Sequence, residues 1–378
     1  MFGRTITAYE PEHLAILRSS AKSFVAGASS FPEIRKLRAD ASFSKPRFRQ
    51  IAEMGWLGLA FNAELELGFA EMVALHRELG RGLLPEPVIA SGVLAAGILA
   101  GGDGGQAKAH LASLFSGERM ATLAWQGAAG AMSSADVKVS ARREASGWVL
   151  DGAARFVPWA EWADGILVAA RAEDGLLVAW VDRKASGLSV QNANALDRTS
   201  FCDILLQQVK IEGEAVMASP AIGAALLDRV LDIGRVAVSA ELVGMSEELF
   251  RITLDYLKQR KQFGKPIGSY QALQFTAVDL FVQIEMANSV VAAAARKLDA
   301  DIPPAQRADA VAACKIRCSD AAIFMAKQGI QMHGAIGYTD ECDVSLFVKR
   351  AFQWAAWLGN GPAHRRRLQS GLEMRAVA

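Results

Sequence analysis

Arg260-Lys261-Gln262-Phe263-Gly264-Lys265-Pro266-Ile267-Gly268-Ser269-Tyr270-Gln271-Ala272-Leu273 is the stretch on which the reading of this chain turns. A run of helical periodicity from Ala224 ends in the basic cluster at Arg260, Gly264 and Pro266 break it, and Ser269, a residue type that caps helix starts, opens the next run. Cations beside free helix-end N–H groups make a natural seat for a diphosphate. On the residues alone, a plain helix-to-helix turn with a solvated basic rim explains the stretch as well.

Working outward, helical spacing continues from Tyr270 to Leu298 and from Pro304 to Ile330, with a last segment from Asp343 to Leu358. Long helices with short connections pack most simply as an antiparallel bundle. Upstream, from Pro11 to about Ser116, apolar residues again recur at helical spacing, as in Leu14, Ile16 and Leu17 and in Met72, Val73, His76 and Leu79. Between these regions the period changes. Trp148-Val149-Leu150, Ile166-Leu167-Val168-Ala169-Ala170 and Leu176-Leu177-Val178-Ala179-Trp180-Val181 are short apolar runs bounded by Gly, Asp or Asn. No helix-length segment separates them, so they predict a compact sandwich or barrel and not a βαβ sheet.

With 378 residues the chain is long enough for several packed units. Its 41 Lys+Arg and 40 Asp+Glu nearly balance and form no charged run, which argues against a nucleic acid or an anionic membrane as partner. The first residues, MFGRTITAYEPEHL, lack the basic region and apolar core of an export signal. The longest apolar stretch, Val88 to about Ala100, is interrupted by Gly92 and Gly97 and is too short for a bilayer of roughly 30 Å. A cytoplasmic protein is expected. Cys202, Cys314, Cys318 and Cys342 show neither metal-ligand spacing nor a disulfide pattern, and Cys314 and Cys318 share a helix face as buried thiols do. His13, His76, His110 and His364 stand apart from any Cys or carboxylate cluster in the sequence, so no metal site is expected.

The Arg-x-Gln-Phe-Gly-x-Pro-Ile run followed by Tyr270-Gln271-Ala272 is similar to the signature of the acyl-CoA dehydrogenase family. Two further stretches resemble that family, Ile51-Ala52-Glu53-Met54-Gly55-Trp56-Leu57-Gly58-Leu59 near the start and Gln331-Met332-His333-Gly334-Ala335-Ile336-Gly337-Tyr338 near the end. Ordered, separated motifs in one chain are far more specific than any one alone. The resemblance implies an α+β multidomain fold: an N-terminal helical domain over 1–118, a middle β-barrel or sandwich domain over 119–218, and a C-terminal four-helix bundle over 219–378. It implies FAD as cofactor, an acyl-CoA thioester as substrate, a homo- or hetero-tetramer with a homologous subunit, and an electron acceptor such as an electron-transfer flavoprotein. By the same likeness Arg260, Gln262 and Phe263 contact the FAD diphosphate from a neighbouring subunit, Gln271 and the run Gln331, Met332, His333, Gly334 and Ala335 belong to the same surface, and Phe156 stacks on the flavin ring. Asp232 and Arg235, three apart on one helix face, match a pair that contacts the CoA part of the substrate. Without the surrounding motifs they read as a surface ion pair.

The pattern breaks at the chemistry. The family reaction removes an α proton with a carboxylate while the flavin accepts hydride from the β carbon. Counting from Gln331 without a gap puts Trp357-Leu358-Gly359-Asn360 where most members carry a Tyr-Glu-Gly-Thr stretch, so Leu358 takes the place of the base. The alternative slot, one residue before Arg235, is Gly234. A leucine accepts no proton, and loss of a general base costs about 10²- to 10⁴-fold in rate. Asn360 is a neutral amide that can only orient a ligand. In the β domain Phe156-Val157-Pro158 replaces an aromatic-Ile-Thr segment and Trp125-Gln126-Gly127 a Thr-Glu-Pro-Gly segment, and Pro158 offers neither hydroxyl nor N–H.

The catalytic residue is therefore unknown from sequence. The leading reading is a dehydrogenase-type subunit whose partner supplies the base, resembling members that act on bulky or dicarboxylic acyl-CoAs, steroid side-chain thioesters included. The alternatives are a self-sufficient dehydrogenase using another carboxylate such as Asp232, a flavin-dependent oxygenase or oxidase on the same scaffold, and a binding subunit without flavin.

Overall fold

The computed structural model describes residues 11–377 apart from 29, 194 and 301. The reading of the first ten residues therefore lies outside the described residues. The chain begins with helices α1 (Glu12–Ala28), α2 (Phe31–Ala39), α3 (Lys45–Glu53) and α4 (Phe69–Arg81), followed by a π-helical segment, Ile89–Ala95, that runs into α5 (Ala96–Gly101), and then α6 (Ala107–Phe115). Ser30 and Ser44 cap α2 and α3, each side chain accepting from the backbone N–H three residues on.

Eight strands follow: β1 (Ala121–Ala124), β2 (Ser140–Glu144), β3 (Gly147–Pro158), β4 (Gly165–Ala172), β5 (Gly175–Asp182), β6 (Leu188–Ala193), β7 (Phe201–Glu212) and β8 (Val216–Ala218). They form one sheet in the order β6-β7-β3-β2-β4-β5-β8, with β1 alongside β4 in parallel. The path is open, so the expected β layer is not a closed barrel among the described residues. Its two halves nevertheless share one core: Leu150 of β3 and Ile204 and Leu206 of β7 cluster with Ile166, Val168 and Ala170 of β4. Alternate residues of β4, Leu167 and Ala169, join the helical core instead. The strand is thus buried on both faces, which is why its sequence is a continuous apolar run with no polar alternation.

The chain returns to helix with α7 (Gly223–Gln259), α8 (Gln271–Asp299), α9 (Pro304–His333), α10 (Val344–Ala356) and α11 (Gly361–Val377). The first three match the predicted runs within a few residues, and α10 and α11 together complete the bundle against α9. Helix α8 is 29 residues long and apolar enough to cross a membrane by length and composition, which the sequence reading did not anticipate. Its apolar residues do not all turn inward: Phe275, Val278, Phe281, Val282 and Met286 recur at helical spacing and are roughly half exposed or more. They make an open stripe along the outside of the bundle.

Candidate functional site

Helix α7 ends at Gln259, and Lys261–Gln262 pairs antiparallel with Lys265–Pro266, strands β9 and β10 of a small hairpin. The two residues of its turn, Phe263 and Gly264, both have positive φ, 52° and 80°. Such a turn matches the twist of paired strands, and glycine takes it freely. Phe263 pays strain for it and is 92% exposed. Ser269 is not the cap expected of it: its hydroxyl donates to the Pro266 oxygen at 2.7 Å, and α8 starts after Tyr270.

Two motifs some seventy residues apart meet at this end of the bundle. The Tyr256 ring, one turn before Arg260, stacks on His333 at 4.3 Å and 24°, and its hydroxyl donates to the His333 oxygen at 3.3 Å. His333 is buried, with Nδ1 donating to the Gly329 oxygen at 2.8 Å, and Met332 is buried beside it. Gln331, Gly334 and Ala335 are exposed, as are Arg260, Lys261, Gln262, Lys265 and Gln271. Gly334 ends α9 at φ 69° and ψ −148°, and a side chain built there would meet nothing within 4 Å. Of the predicted cofactor residues, Met332 and His333 therefore support the surface from beneath, while Arg260, Gln262, Phe263, Gln271, Gln331, Gly334 and Ala335 lie open on it, with Lys261 and Lys265 adding positive charge. Phe156 lies elsewhere, on β3 with φ 55°, partly exposed, and Arg155 covers its ring at 5.6 Å.

Asp232 and Arg235 form no surface pair; each side chain is 1% exposed. Arg235 Nη1 donates to Asp232 at 2.7 Å, Arg367 of α11 to the same oxygen at 2.9 Å, and Arg307 of α9 to the other at 3.4 Å. Burial would raise the Asp232 pKa, but Arg235 and Arg367 outweigh it and hold the carboxyl below its ordinary value. A carboxylate so engaged is a weak proton acceptor. Burial lowers the Arg235 pKa to about 10, so it stays charged at neutral pH.

Arg235 also fixes the turn that carries Leu358. Its Nε donates to the Leu358 oxygen at 3.0 Å and its Nη2 to the Met132 oxygen. The Leu358 oxygen accepts a second bond, from His364 Nε2 at 3.1 Å. Burial and the cations Arg235, Lys315 and Arg367 keep His364 neutral, so its single ring proton sits on Nε2. Lys315, fully buried, caps the end of α10 by donating to the oxygens of Trp354 at 2.9 Å and Ala355 at 3.0 Å. The Leu358 side chain is 2% exposed and packs on Gly234: a methyl built on Gly234 would lie 2.5 Å from Leu94 Cδ2 and 3.0 Å from Leu358 Cδ1. Hydrocarbon thus fills the space between both positions where the family resemblance places a base. Asn360 has a structural task, its Oδ1 accepting from the Ala363 N–H at the start of α11.

One carboxylate escaped the sequence reading. Glu241, seven residues beyond Gly234 on α7, accepts from Trp354 Nε1 at 2.7 Å and pairs with His76 Nδ1 at 3.1 Å. With Pro158, Trp159 and Trp357 it lines a narrow cavity of ≈ 20 Å³. The signal was a lone acid in the apolar run Ala240-Glu241-Leu242-Val243, but its partners lie 165 and 113 residues away. His76 thus has one carboxylate partner, as does His13, whose Nε2 lies 2.8 Å from Glu71. Cys202, Cys314 and Cys318 are free and buried, and no group of His, Cys, Asp and Glu fit for a metal occurs among the described residues.

Residues 11–118 match the model of the acyl-CoA dehydrogenase N-terminal domain, and residues 222–372 that of the acyl-CoA dehydrogenase C-terminal domain. The chain is 30% identical over 367 residues to the acyl-CoA dehydrogenase IpdE2 of Mycobacterium tuberculosis, covering 95% of this chain and 97% of that protein. In structure it resembles the Tcur3481-Tcur3483 steroid ACAD, with a TM-score of 0.85 at 25% identity, covering 97% of this chain and 99% of that one. It also resembles the ChsE4-ChsE5 complex of Mycobacterium tuberculosis, with a TM-score of 0.87 at 24% identity and the same coverage. Helices flanking an open β sheet, with the basic turn and glycine-ended helix side by side, are thus the fold of a known group, and the chain belongs to the acyl-CoA dehydrogenase family.

Proposed function

We propose that this chain is a subunit of a flavin-dependent acyl-CoA dehydrogenase that relies on a homologous partner for its base. The observation that carries the reading is Leu358, buried and packed on Gly234, with no ionisable oxygen at either base position. Asp232 is a poor substitute, because three arginines engage its carboxylate. Domain limits near 118 and 218 follow from the same reading.

FAD fits the bundle end better than the β layer. Arg260, Lys261 and Lys265 stand exposed at the tip, beside the open glycine at 334, and suit a diphosphate offered across a subunit boundary. On the β side Pro158 donates nothing, and its own oxygen is taken by Thr122 Oγ1 at 2.6 Å. The flavin, when bound, supplies the hydride acceptor; the chain's residues position it and exclude water. The apolar stripe of α8 supports an assembly of more than one chain, with acyl-CoA as substrate and an electron-transfer flavoprotein-type acceptor. The relatives named as two-component assemblies favour a heteromer. Free buried thiols suit a reducing, cytoplasmic setting.

A second reading has one observation in its favour: Glu241, a carboxylate of this chain, lines a cavity beside Trp159 and Trp357. The test of both is to purify the chain alone and with a homologous subunit, measure bound FAD, and titrate each anaerobically with a panel of acyl-CoAs. Flavin reduction only in the co-purified form is expected. Reduction in the chain alone, abolished by Glu241→Gln, would replace the first reading with the second.

A further inference from the structure

The connection from β1 to β2, residues 125–139, leaves the sheet, reaches α7 and returns. Two ties hold its middle to the helix. Arg235 Nη2 donates to the Met132 oxygen, and Ser134 donates twice to Asp228, from its N–H at 2.7 Å and from Oγ at 2.8 Å. Asp228, Asp232 and Arg235 stand at i, i+4 and i+7 of α7 and share one face, so the connection runs along the face that carries the buried pair.

The tied part is stiff. Asp136 accepts from the N–H groups of Met132 at 2.7 Å and Ser133 at 3.0 Å, and on the sheet side Arg171 donates to the oxygens of Ser134 at 3.1 Å, of Ala135 and of Val137 at 3.0 Å. Ahead of it lies Ala128-Ala129-Gly130, small and exposed, with Gly130 at φ 83° and nothing within 4 Å of a side chain built there. A stiff segment behind a small, open hinge moves as one piece.

The ties cover what a ligand would use. Arg235 spends Nη1 on Asp232 and Nε on the Leu358 oxygen, so Nη2, taken by Met132, is the donor that displacement of this segment would release. Around it Arg235, Arg307 and Arg367 outnumber Asp232 and Asp228, and the surplus positive charge favours an arriving oxyanion. Arg307 and Arg367 are 12% and 25% exposed, which leaves the cluster open to solvent on the bundle side. Met132 also rests on the turn after Leu358: a side chain built on Gly359 would meet its Sδ at 2.6 Å.

We propose that residues 128–137 form a strap over Asp232 and Arg235, shut by Met132 and Ser134, and released when a phosphate-bearing ligand of the coenzyme A class gives Arg235 an oxygen in place of the Met132 carbonyl. The ligand class rests on the acyl-CoA reading above; the gate is the addition. Two ties of ordinary hydrogen-bond strength set an opening cost that differential binding can overcome.

The test is hydrogen–deuterium exchange, read by mass spectrometry on the full chain with and without coenzyme A, in the parent and in Ser134→Ala and Asp228→Ala. In the parent, coenzyme A should speed exchange at 128–137 severalfold while α7 stays protected. Each variant should speed it about three- to tenfold without ligand and tighten coenzyme A binding by a similar factor, because part of the opening cost is gone. Ser134→Ala removes one hydroxyl and keeps the fold, which an unchanged melting temperature checks. Exchange at 128–137 that ignores coenzyme A, or variants with unchanged exchange and affinity, would overturn the proposal. Flavin reduction in the co-purified form decides the subunit reading and does not enter this result, so the two can fail separately.

Discussion

Arg235 Nε donates to the main-chain oxygen of Leu358 at 3.0 Å, which ties the buried charge cluster on α7 to the turn that follows α10. The turn is held in an unusual shape, with φ 58° at Leu358 and 103° at Gly359. Charge, helix end and turn form one unit, and three of its consequences can be measured, together with one at the bundle tip.

Asp232→Asn should be among the more damaging single changes, because it leaves Arg235 buried without its carboxylate. Breaking such a pair costs about 3–5 kcal/mol. The Asp232 pKa is held below its ordinary value, so the unfolded chain binds the proton first as pH falls. The stabilisation is therefore present above the ordinary carboxylate range and is lost as pH drops through the folded value. Denaturant melts from pH 7 to pH 3 should show a shallower loss of stability in the variant than in the parent.

Lys315→Met should abolish a different pH dependence. Burial lowers the Lys315 pKa to about 7, below its ordinary 10.5, so between these values the unfolded chain holds more protons and stability rises with pH. The variant removes that rise, and it also uncaps the oxygens of Trp354 and Ala355. Stability compared at pH 7 and pH 9.5 reads both effects; equal slopes in parent and variant would contradict the assignment.

Gly234→Ala tests whether the space below Leu358 is filled. The added methyl would meet Leu94 at 2.5 Å and Leu358 at 3.0 Å, which calls for repacking at about 1–3 kcal/mol. A double variant with Leu358→Ala should recover part of the loss, since the two side chains compete for one volume. Additive losses would mean that the contact is not the cause.

Arg260→Ala should separate cofactor retention from folding. The Arg260 side chain is exposed at the bundle tip, so the melting temperature of the isolated chain should hold. Bound FAD per subunit in the assembled protein should fall severalfold, read from the visible spectrum after gel filtration. Undiminished FAD would remove Arg260 from the diphosphate site.

Much of the architecture was written locally. Period 3.6 in α7, α8 and α9, the short apolar runs of β3, β4 and β5, and the Gly264 turn are near-neighbour properties, and neighbours in sequence are what a reader of sequence sees. The absence of an acid at position 358 was equally plain, because residue identity needs no coordinates. The open path of the sheet was not legible, since strand order depends on pairings between distant segments. Nor was the fate of Asp232: its i,i+3 partner Arg235 was visible, whereas Arg307 and Arg367 arrive from two other helices. Glu241 and Arg38 looked like ordinary charges in the chain. Only packing made one a carboxylate held by Trp354 and His76, and the other a buried cation with two idle donors, because burial and long-range partners set the cost of a charge. The sequence by itself thus determined the helices, the motif turn and the lack of an acid at position 358; tertiary structure decided which charges are sealed together and which are left open, since that depends on what surrounds them in space.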